Sequence, residues 1–171
     1  MTDIVENTYK QLNDLLEYLE KQGEVSLKSD ADNNLKKDLL LTAASYFEYQ
    51  IRNIILSFVS KITNNNALIY SFVHKKALDR QFHTLFDFDA NNVNHFLNFF
   101  GKEFKEKVQG EIRGNPSLDK GIKSFLYICG TRNEAIHDNF GLYMIDKTSE
   151  DIFVEYKNGL IFIELLSKHL S

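Results

Sequence analysis

Apolar residues return every three or four positions over most of the chain, the spacing of an α-helix that buries one stripe. In residues 4 to 21, Ile4, Val5, Leu12, Leu15, Leu16 and Leu19 share a face among Glu, Lys and Gln, and Gly23 stops the run. From about Asp32 to Ile62, Leu40, Ala43, Ala44, Phe47, Ile51, Ile54, Ile55, Phe58 and Ile62 predict a long central helix. The asparagines of TNNN favour turn and left-handed conformations and end it. A shorter helix is predicted over residues 67 to 80. The following RQFHTLFDFDANN fits neither the helical nor the strand period and reads as a loop with short turns.

Asp89 is the expected N-cap of a helix carrying Val93, Phe96, Leu97, Phe100, Phe104, Val108 and Ile112, continuous through Gly101. GNPSLDKG breaks the chain, with Ser117 as the expected cap of a helix that turns Ile122, Phe125, Leu126 and Cys129 inward. FGLYMID predicts an extended connection, and Thr148 with Asp151 a capping box that opens a last helix to about Leu166. Five or six helices without a strand pair predict an all-α up-and-down bundle. With no internal repeat, low-complexity tract or linker, the expectation is one domain over residues 1–171.

Composition narrows the class. Hydrophobic residues are 43% of the chain and charged ones 26%, so a folded core is expected. One proline and eight glycines suit long helices better than a many-turned β fold. The polar, acidic MTDIVENTYKQLND is no secretory signal, no apolar run approaches a membrane span, and the single Cys129 fits a reducing compartment. The expected location is the cytoplasm. A formal charge of -4 gives no bulk attraction to nucleic acid, so RNA contact requires a local patch. Lys102, Lys105 and Lys107 alternate with Glu103 and Glu106 and read as a solvated face. His74, His83 and His95 form neither an i, i+4 pair nor a Cys/His cluster, and phosphate-loop, dinucleotide, zinc-protease and serine-hydrolase strings do not occur. Neither metal nor cofactor is expected.

The chemistry concentrates in CGTRNEAIHDN, residues 129 to 139. Arg132 and His137 at a helix C-terminus can simply offset the dipole. They also suit cleavage of RNA by its own 2′-hydroxyl: an imidazole moves the proton, and a guanidinium fork binds the phosphate as charge builds. The products are a 2′,3′-cyclic phosphate and a 5′-hydroxyl, and the scheme calls for no metal. Arg132 and His137 are five positions apart, about 140° around an ideal helix; if two such helices cross at a twofold axis, one chain's arginine meets the other's histidine in a shared cleft. Asn133, four before His137, is placed to orient the imidazole. Glu48 stands four before Arg52 and can pair with it.

RNEAIH, Arg132 to His137, resembles the R-N-x-x-x-H motif of the HEPN superfamily. It lies on the penultimate helix, behind SYFEYQIRNII, whose Glu48 is similar to an acidic residue these domains carry. NHFLNFFGKEFKEKV, then SLDKGIKSFLYICGTRNEAIH, then a last helix, resemble the RiboL-PSP-HEPN subgroup over roughly residues 35 to 166. The resemblance implies a homodimeric, metal-independent endoribonuclease, a toxin or a defence or stress effector. Arg132 and His137 are then catalytic, Asn133 orients and Glu48 supports. Asp138 replaces the glycine that often follows the histidine. The competing expectation is a non-catalytic helical module docking on a partner such as a nucleotidyltransferase-type antitoxin.

Overall fold

The computed structural model describes residues 3–171. Five long helices carry the fold: α1 (Ile4–Lys21), α2 (Val25–Ile62), α6 (Lys102–Arg113), α7 (Pro116–His137) and α8 (Ser149–Leu170). Three short ones, α3 (Ala67–Val73), α4 (Phe82–Leu85) and α5 (Asn94–Asn98), and a π turn at His74–Leu78 fill the connection after α2. There is no strand among the described residues. The all-α bundle is therefore as predicted.

Local chemistry sets most boundaries. Gly23 at φ 75° closes α1 as a Schellman motif, with the Glu24 amide on the Leu19 carbonyl and the Gly23 amide on Glu20. The chain reverses there and α2 begins at once, at Val25 and not near Asp32. Its first two turns are mostly exposed, so they carry no apolar stripe to read. On α1 the buried stripe is narrower than predicted: Val5, Leu12 and Leu19 are buried, whereas Ile4 and Leu15 are exposed. The helix predicted through Gly101 is broken. Gly101 adopts φ 89°, a conformation that suits glycine, and separates α5 from α6. Asp89 caps nothing there; the Asn92 side chain accepts the Asn94 amide instead. Asn115, not Ser117, caps α7, accepting the Ser117 amide at 3.0 Å with Pro116 in the first turn. The Thr148–Asp151 capping box of α8 is present as predicted, and the helix runs on to Leu170.

α7 and α8 pack most extensively on each other, antiparallel, with α2 and α1 completing the bundle. One hydrophobic cluster joins them. Phe47, Phe125, Tyr156 and Phe162 are fully buried at its centre, with Phe86 joining from the α4–α5 loop. Gly121 and Gly159 allow the close approach: a Cβ at Gly121 would lie 2.8 Å from the Asn158 carbonyl oxygen. The α7 helix that carries the motif is thus packed closely against α8.

Candidate active site on α2 and α7

Arg132 projects from α7 toward α2 and is held at two points. Nη2 donates to Glu48 Oε2 at 2.7 Å and Nη1 donates to Asn133 Oδ1 at 3.1 Å. The Arg132 and Glu48 side chains retain 20% and 28% exposure, so the pair is partly shielded yet still reachable by a ligand. Glu48 also lies 3.9 Å from Arg52, too far for a hydrogen bond. The i, i+4 pairing within α2 is therefore the weaker of its two contacts. Two guanidinium bonds preset the Arg132 fork and leave its other N–H groups for an anion.

His137 ends α7 and is exposed, and Asp138 follows as the C-cap. The structure brings Arg132, Asn133 and Glu48 together and leaves His137 outside that cluster, one turn further along. The Asn133 oxygen serves Arg132, so the predicted amide-to-imidazole bond is replaced by an amide-to-guanidinium one. Cys129, a turn below, is fully buried, as its place on the apolar stripe implied. Burial pushes its thiol pKa far up, which the nearby Arg132 charge only partly counters. That rules it out as a thiolate nucleophile.

The loop after His137 is anchored from below. Lys37, only 6% exposed on α2, donates from Nζ to the Phe140 and Gly141 carbonyls at 2.9 and 3.0 Å. Sequence reading passed over this residue, because a lysine among the polar positions of an exposed helical stretch looks solvated. Lys37→Met is expected to destabilise the fold by about 1–3 kcal/mol by removing charged hydrogen bonds. It should also speed amide exchange at Leu142 and Tyr143, which bond back to the Asn139 carbonyl. Exchange unchanged at those two amides would show that the loop is held without Lys37. Tyr143 closes the same loop, donating to Glu134 Oε2 at 2.9 Å. Partial burial, then the Glu134 carboxylate, push its phenol up to about 12.

Apolar side chains stand uncovered beside the motif: Ile136, Leu142 and Met144 are 50%, 77% and 64% exposed. They border the polar end of α7 and the loop that follows it.

An all-α bundle with an arginine pinned at the end of its penultimate helix and a histidine beyond it is the setting that the resemblance to HEPN domains implies. The family model described as RiboL-PSP-HEPN matches residues 6–171, and the chain belongs to that family. The match takes in α1 and the end of α8, beyond the stretch the motif-level resemblance covered. No curated protein and no solved structure matches the chain. HEPN domains are often ribonucleases and typically dimerise and bind RNA. No helix among the described residues is long and apolar enough to cross a membrane.

Proposed function

We propose that the protein is a single-domain, metal-independent RNA endonuclease, a cytoplasmic toxin or a defence or stress effector, whose site is completed by a second copy. The observation that carries this reading is the Arg132 fork, preset by Glu48 and Asn133 and one turn from an exposed His137. In this scheme His137 takes the proton from a ribose 2′-hydroxyl, O2′ attacks phosphorus, and the 5′-oxygen departs with a proton supplied by an imidazole. Arg132 hydrogen bonds the non-bridging oxygens as charge accumulates. One chain holds Arg132 and His137 about 140° apart around α7, so the complete pair is drawn from two chains.

The second copy sits on Ile136, Leu142 and Met144, because that patch adjoins the residues one chain leaves incomplete. Leu142→Asp is expected to leave the fold intact, since the side chain is 77% exposed, while giving monomers in sedimentation and losing most cleavage. A dimer that persists in this variant would place the interface elsewhere. The reading as a whole is tested by incubating RNA with the protein in EDTA and identifying the ends. Cyclic phosphates are expected; intact RNA in the presence of folded dimer counts against it.

A second reading, a non-catalytic module docking on a protein partner such as a nucleotidyltransferase-type antitoxin, is favoured by α3. Its sequence ALIYSFV is largely apolar, yet none of its residues is buried. That reading expects the His137 and Arg132 variants to bind the partner normally, with no RNA product from any form.

A further inference from the structure

On α2, residues 45, 48, 49, 52, 53 and 56 form one stripe at helical spacing, and it floors an open groove of about 620 Å³ whose far wall is Tyr70 and His74. On that side the Tyr70 and His74 rings are stacked, parallel within 4° with centroids 6.3 Å apart, one helical turn from each other. Tyr49, 62% exposed, stands on the α2 side. Arg52 lies beside it with no hydrogen bond to the described residues and only the 3.9 Å contact to Glu48. Since Arg132 already neutralises Glu48, the groove keeps the net positive charge of Arg52 despite the acidic chain. His74 also opens the π turn, with the Asp79 amide on its carbonyl at 2.8 Å; such turns are rare and concentrate at functional sites.

Exposed aromatic faces with an uncommitted guanidinium are what a nucleotide requires: a π surface for the base and a forked donor for its phosphate. We propose that the α2–α3 groove is a subsite for one unpaired nucleotide, its base against the Tyr70–His74 wall and Tyr49, its phosphate on Arg52. Glu48 lines the groove and bonds Arg132, so a strand seated here runs toward the reacting phosphate. This deepens the ribonuclease reading by assigning it single-stranded substrates, and it rests on that reading for the link to cleavage. A paired base has its face covered by its neighbours and cannot reach the wall.

The test uses the full-length protein and a fluorescent single-stranded DNA oligonucleotide, which has no 2′-hydroxyl and cannot be cut by the proposed chemistry, beside a duplex of the same sequence. The single strand is expected to bind more tightly. Tyr49→Ala and Tyr70→Ala should each weaken it by about fivefold to a hundredfold, the range measured for loss of base stacking, and Tyr49→Phe should restore it. Arg52→Ala should flatten the salt dependence by roughly one phosphate contact. Circular dichroism checks the fold; both tyrosines are partly exposed, so their removal leaves the core intact. Equal binding by the parent and both alanine variants, or equal affinity for duplex and single strand, overturns the subsite. Cleavage of RNA by the same preparations separates the two proposals. A parent that cuts, with tyrosine variants unchanged in binding, loses the subsite and keeps the nuclease; a parent that binds through the tyrosines and never cuts keeps the subsite and loses the nuclease.

Discussion

Replacing His137 with alanine is expected to slow RNA cleavage by about 10²–10⁴-fold, the range over which a positioned acid or base accelerates proton transfer. The side chain is exposed at the end of α7, so thermal stability should stay near that of the parent. Arg132→Ala is expected to cost about 10²–10³-fold, the usual effect of deleting a donor to developing negative charge. It differs in a second respect: it strips Glu48 of its 2.7 Å partner and leaves a partly shielded carboxylate facing the phosphate path. Arg132→Lys keeps the charge but loses the fork, so it should recover little. Glu48→Gln retains an oxygen acceptor for Arg132 and should be the mildest of the four. Single-turnover cleavage, with product ends identified, reads all of these. A His137→Ala protein as fast as the parent would end the proposed mechanism, whatever the arginine variants do.

The candidate site was half legible in the sequence. Arg132 and His137 stand close together in a short motif, so linear spacing revealed them. Glu48 and Arg132 are separated by 84 positions, and only packing α7 antiparallel on α2 joins them. Spacing instead suggested Arg52 for Glu48, since i, i+4 is visible in one dimension and a contact between helices is not. The groove residues Tyr49, Arg52 and Asn53 did form a polar stripe on α2, but the opposing wall comes from α3, whose direction the TNNN turn decides. The Asn64 and Asn65 backbones there are left-handed, as their residue type suggested.

Two of the departures in the fold, the start of α2 and the break at Gly101, share one physical origin. A stripe of apolar residues reports burial, and the helix boundary need not coincide with it. α2 extends beyond its buried part at the N-terminus, so its exposed first turns went unread. Phe96, Phe100 and Phe104 keep facing the core on both sides of the Gly101 break, with successive rings 5.3 and 5.0 Å apart, so the stripe crosses a boundary the backbone does not. Capping chemistry was a mixed guide to ends: the Thr148–Asp151 box is formed, whereas Asp89 caps nothing and Asn115 replaces Ser117. The Thr148–Asp151 box was legible because both partners lie within four residues, and Asn115 was missed because Ser117 offered a capping hydroxyl two positions later.

Gly159→Ala is expected to change sign with the residue at position 47. In the parent, the added methyl would lie 2.5 Å from Phe47 Cζ and 3.0 Å from Cε2, with the Phe125 backbone 3.4 Å behind. Phe47 cannot yield, because its fully buried ring packs on Tyr156 at 5.4 Å and Phe125 at 5.3 Å. Overpacking of this kind costs about 1–3 kcal/mol, against a gain of about 1 kcal/mol from placing alanine within a helix. The net result should be a less stable protein. Phe47→Ala opens a cavity costing about 3–5 kcal/mol, a large part of the stability of a domain this size. In that background the clash is gone and the methyl enters vacated space, so Gly159→Ala should now stabilise by about 1 kcal/mol. Urea unfolding of the four proteins measures the cycle, and a coupling of about 1–3 kcal/mol is expected for residues in contact. Equal destabilisation by Gly159→Ala in both backgrounds would mean that glycine serves the α7–α8 backbone approach and not the ring. The distinction bears on the site, because Phe47 precedes Glu48 on α2: a ring locked against α8 fixes the helix that presents the carboxylate to Arg132.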